Sequence, residues 1–125
     1  MESLKQTYKI NALPDEVFNS ITNPVAIELW SGYPANIQPV PGTEFELWEG
    51  DISGKIIDVE PNKKLIQEWY FGDQNEQSLV SIYLRQKGNS TVVELEHVNI
   101  PDEEFENIKE GWSKYFWGAI QEFFK

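Results

Sequence analysis

The chain has 125 residues, no cysteine, and 21 acidic against 10 basic residues, for a formal net charge of −11. Its length suits one domain, residues 1–125, large enough to bury its own core. The missing cysteines exclude a disulfide framework, a thiolate nucleophile and a cysteine-bound metal, and the negative charge excludes nucleic acid and anionic membrane surfaces as partners.

Leu4, Gln6, Tyr8 and Ile10 alternate through residues 4–11 and predict a first strand. Pro14, followed by Asp15 and Glu16, opens a short helix whose inward stripe is Val17, Phe18 and Ile21. Pro24 opens a second short helix that carries Ile27 and Trp30. The stretch SGYPANIQPVPG, with its prolines and glycines, is a loop or a broken edge strand. From Thr43 onward the period becomes two. Phe45 and Leu47 share one face of TEFELWEG; in DISGKIIDVEP, Ile57 and Val59 share a face while Ile52 and Ile56 compete for the register. After a Pro-Asn-Lys turn, KLIQEWYFG points Leu65, Gln67, Trp69 and Phe71 inward, because Glu68 on the other face belongs in water. Val80, Ile82 and Leu84 form the next inner face, KGNS a hairpin turn, and Val93, Leu95 and His97 the inner face after it.

The remaining residues, PDEEFENIKEGWSKYFWGAIQEFFK, predict one amphipathic helix of about 22 residues, roughly 33 Å long. Phe105, Ile108, Trp112, Phe116, Ala119 and Phe123 recur at steps of three or four and share a face. Pro101 and the acids Asp102, Glu103 and Glu104 mark its start. A strand, two short helices, a run of antiparallel strands and one long helix make an α+β domain with the helix laid across a sheet. No run of about 18 apolar residues is present, and the opening MESLKQTYKINALP lacks the charged-then-apolar order of a signal peptide. The expected location is the cytoplasm.

Few residues are equipped for chemistry. His97 is the only histidine, so neither a His-pair motif nor a histidine metal cluster can form. No GxSxG accompanies the serines, and GDISGK lacks the spacing of a phosphate loop. The acids from Asp102 to Glu106 lack the alternating ligands and central glycine of a calcium loop, and the inner strand faces hold no carboxylate pair for glycoside hydrolysis. No catalytic residue, metal or cofactor is expected. What remains is an aromatic lining of Trp30, Phe45, Trp69, Trp112 and Phe116, with Ile82 and Leu95 between the rings. These side chains fill a core or wall a pocket in which Gln67 and His97 would orient a ligand.

The segments LPDEVFNSITNPVAIELW, GKIIDVEPNKKLIQEW and TVVELEHVNIPDEEFENIKEGWSKYF follow one another over nearly the whole chain. Together they resemble the family named for the C-terminal domain of the activator of the heat-shock protein 90 ATPase. That family lies within the START-like (SRPBCC, helix-grip) superfamily, which also holds birch-pollen-allergen-like lipid binders and polyketide cyclases. The resemblance implies a curved antiparallel sheet gripping the terminal helix, with a cavity between them that opens near one helix end. Non-catalytic binding of a small hydrophobic or amphipathic molecule in that cavity is the leading expectation. A module that partners a heat-shock protein 90 homologue through its surface is the first alternative. A cyclase- or hydrolase-type enzyme using His97 as acid or base is the second.

Overall fold

In the computed structural model, which describes residues 1–72 and 74–125, the chain begins with β1 (Glu2–Ile10), α1 (Pro14–Thr22) and α2 (Pro24–Ser31). Five further strands follow: β2 (Glu44–Leu47), β3 (Ile52–Glu60), β4 (Lys64–Trp69), β5 (Ser78–Lys87) and β6 (Ser90–Ile100). The six strands make one curved antiparallel sheet in the order β1-β6-β5-β4-β3-β2. Strands β2 to β6 are a meander in which each pairs with the next. β1 closes the far edge against β6, with Leu4 opposite His97 and Ile10 opposite Thr91. The β5–β6 hairpin turns through Gly88 at φ 61°, so Lys87 faces Ser90 across a two-residue loop.

Strand parity holds for most of the sheet. Phe45, Leu47, Leu65, Gln67, Trp69, Val80, Ile82, Leu84, Val93, Leu95 and His97 are buried on the concave side. β3 departs from the expected pairing of Ile57 with Val59. Ile56 is fully buried while Ile57 is 39% exposed, because the register slips by one residue between Ile56 and Asp58. The extra residue is a bulge at Ile57, and it brings Ile56 opposite Gln67 and Val59 opposite Leu65, so both face inward. Nearby, a Cβ on Gly54 would lie 1.9 Å from the Glu68 carbonyl and 2.9 Å from the Phe45 ring. Only glycine allows β3 to pass that close to its neighbours.

The C-terminal rod corrects the expectation of one regular helix. A 3₁₀ turn (Asp102–Glu104) leads into α3 (Phe105–Glu110), a π-wound segment (Gly111–Phe116) and α4 (Trp117–Phe123). A π turn contains an extra residue, so the apolar stripe rotates as it passes through. Trp112 and Phe116 stay inward as expected, but beyond them Trp117 and Ile120 are fully buried and Phe123 is 47% exposed. A Cβ on Gly118 would sit 2.3 Å from the Ser113 carbonyl, so glycine is what lets the wide turn close against α4.

α1 and α2 cover the same face of the sheet. Asn23 caps α2 by accepting the Val25 N–H at 2.9 Å, and Gly32 ends it at φ 83° with its N–H on the Glu28 carbonyl. The Trp30 indole N–H donates to the Ser20 carbonyl at 2.7 Å, which pins α2 to α1. Val17, Phe18, Ile21, Ile27 and Trp30 are buried, as their helical spacing requires.

Candidate functional site

The inward side chains of the sheet are buried against the rod and the two short helices in one core. Under the rod a cleft of about 320 Å³ opens at its flank, near the lower end of the range common for ligand pockets. The first half of the rod supplies one wall, through Asn107, Ile108, Gly111, Trp112, Tyr115 and Phe116. The β2–β3 turn and β4 supply the other, through Trp48, Asp51, Ile52 and Trp69, and Tyr33 closes one side from the loop after α2. The rings are set at angles to one another. Trp69 stacks on Trp112 at 4.9 Å and 27°, Trp112 meets Phe116 edge-on at 4.8 Å and 66°, and Phe116 meets Trp48 at 5.9 Å and 46°. Trp48 is held there by an unusual turn in which Trp48, Glu49 and Gly50 have φ of 51°, 56° and 93°. Two successive non-glycine residues in the left-handed region store strain, a cost offset by the packing of Trp48 on Trp30 and Phe116.

Behind this wall His97 is fully buried in a closed hydrogen-bond chain. The Trp112 indole can only donate, so its N–H on Nδ1 at 3.1 Å makes that nitrogen an acceptor. The ring proton therefore sits on Nε2, which faces the Ser78 hydroxyl at 2.8 Å. Ser78 in turn donates to the Val98 carbonyl at 3.2 Å. Both ring nitrogens are engaged, and burial drops the imidazole to about 3. His97 is a neutral link between strand and rod.

Of the nine expected ligand contacts, Trp69, Trp112 and Phe116 line the cleft. Trp30 lies one layer back, against Trp48 and Phe116. Phe45, Ile82 and Leu95 are closed in the core. Gln67 accepts the Trp69 indole N–H at 3.0 Å, and His97 holds Trp112, so these two polar groups orient wall tryptophans from behind. Sequence reasoning did not place Tyr33, Trp48, Asp51, Ile52, Asn107, Ile108, Gly111 or Tyr115 at the site. The Glu-Gly-Asp after Trp48 is a turn signal, but nothing in it tells where the turn folds.

A curved antiparallel sheet, two short helices after its first strand and a C-terminal rod across its concave face define a helix-grip, START-like domain. The chain belongs to the Activator of Hsp90 ATPase homolog 1-like family, whose model matches residues 11–125. It is 27% identical over 124 residues to the human Activator of 90 kDa heat shock protein ATPase homolog 1, covering 98% of this chain. It spans only 36% of that relative's length. Among solved structures it is similar to an HSP90 activator from Plasmodium falciparum, with a TM-score of 0.89, 28% identity, and coverage of 98% of this chain and 96% of the other. It is also similar to CalU16 from Micromonospora echinospora, with a TM-score of 0.80, 26% identity, and coverage of 97% and 73%.

Proposed function

We propose that the chain is a non-catalytic cytoplasmic binding module that holds a small, largely apolar molecule in the cleft between rod and sheet. The observation that carries this reading is the cleft itself, walled by rings from the rod and the β2–β3 turn. Shape and apolar surface supply the affinity of such sites, and a few polar groups supply orientation. The engagement of both nitrogens of His97 supports binding over acid–base chemistry. The test uses Gly111, which lines the cleft in ordinary helical conformation and where an added Cβ meets nothing within 4 Å. Nile red should bind the wild type with quenching of tryptophan emission, and Gly111→Phe should block it by filling the cleft. Equal binding by the two proteins, or none by the wild type, would refute the proposal.

A second reading is favoured by the end-to-end likeness to the HSP90 activator from Plasmodium falciparum. In that reading the module binds a heat-shock protein 90 homologue through its surface. Binding of the chaperone by both wild type and Gly111→Phe would support it, and no binding by either would remove it.

A further inference from the structure

We propose that the cleft selects an organic cation: a compact or flat apolar body bearing an ammonium group. This rests on the reading of the cleft as a ligand site and narrows it to one chemical class. Three observations converge.

The first is the surface on offer. Trp48, Trp69, Trp112 and Phe116 meet at inclinations from 27° to 66°, and the exposed rings of Tyr33 and Tyr115 stand beside them on the wall, which makes an aromatic corner rather than a flat stack. Ring faces carry negative quadrupole charge and attract cations placed over them.

The second is the direction of the indole donors. Trp69 gives its N–H to Gln67 and Trp112 gives its N–H to His97, both acceptors lying in the core. The two tryptophans thus turn their N–H groups away from the cleft, and the donors left on its wall, those of Tyr33, Trp48, Asn107 and Tyr115, are neutral and bring no positive charge to hold an anion.

The third is charge. Asp51 is the one charged side chain on the cleft wall among the described residues; no lysine, arginine or histidine lines it. Asp51 is exposed, and its carboxylate has no ion-pair or hydrogen-bond partner among the described residues. A net charge of −11 adds a field that draws cations toward the molecule and repels anions. An aromatic corner with one free carboxylate at its rim complements an ammonium head on an apolar body.

The probes are 3-hydroxyphenyltrimethylammonium and its uncharged isostere 3-tert-butylphenol, which share ring, hydroxyl and shape and differ in charge. Calorimetric titration of the full chain should find the cation at least about tenfold tighter. Asp51→Asn should remove most of that preference. The substitution is at an exposed, unpartnered side chain, so the fold is expected to survive, and a circular dichroism melt checks that it does. Gly111→Phe should abolish binding of both probes. Equal or tighter binding of 3-tert-butylphenol would overturn the cation proposal while leaving the apolar-ligand reading standing. A preference unchanged in Asp51→Asn would overturn it too, since overall charge and not the cleft would be the selector. Nile red binding with neither phenol bound refutes the cation class alone, whereas failure of all three probes removes the cleft as a ligand site.

Discussion

Burial holds the His97 imidazole near 3, against about 6.5 for a free histidine, and this makes the core sensitive to acid. Between those values the unfolded chain takes up a proton that the folded chain refuses. The unfolded state therefore binds more protons, and stability is lost as pH falls from about 6.5 toward about 3. Urea unfolding at pH 7 and pH 4.5 should find His97→Gln less stable at pH 7, by about 1–3 kcal/mol, because the Trp112 and Ser78 partners are disturbed. The variant should nevertheless lose less than the wild type on acidification. Parallel losses in the two proteins would contradict a neutral, buried His97. At this scale strand parity, which turns His97 inward, is all that could be read from the chain. The partners that lock the ring, Ser78 and Trp112, lie 19 and 15 residues away in the chain, where no local pattern reaches.

Within one rod, the same substitution should act with opposite signs. At Gly111 a methyl group meets open space and the backbone is helical, so Gly111→Ala should stabilise by about 0.5–1 kcal/mol. At Gly118 the methyl would press on the Ser113 carbonyl at 2.3 Å, and Gly118→Ala should cost about 1–3 kcal/mol through overpacking. Equilibrium unfolding of both variants checks the pair, and a gain at Gly118 would mean that the π turn yields easily. The elements themselves were legible: both proline-started helices, the strand faces other than β3, and the rod up to Phe116 follow from period and caps. The failures are both insertions. A bulge at Ile57 and a π turn at Gly111–Phe116 each add one residue to a repeat, so the faces on the two sides of the insertion no longer follow a single period. The cleft suffered for a related reason. Its missed wall residues Trp48 and Asp51 belong to a turn with left-handed residues, to which periodicity is blind.

For the molecule as a whole, 21 acidic residues against 10 basic ones leave a large uncompensated charge. The ion pairs among the described residues lie at the surface, as in Lys64–Asp58 at 2.8 Å and Arg85–Glu94 at 3.7 Å, and such pairs each contribute little. Self-repulsion should outweigh them, so raising NaCl from low to moderate concentration should raise Tm by screening it. A fall in Tm would put the surface pairs ahead. Element order and inner faces could be read from the chain, but the sheet order could not, since no periodicity reveals that β1 pairs with β6. That pairing governs how the protein is born. The Thr91 hydroxyl bonds the Ala12 carbonyl across 79 residues of chain, and the Gln121 amide reaches the Lys9 carbonyl across 112. At roughly 5–20 residues per second of synthesis, β1 waits many seconds outside the ribosome before its partner strand emerges. Through that interval its Leu4, Tyr8 and Ile10 have no sheet to cover them, and the nascent chain is exposed to whatever chaperones attend it.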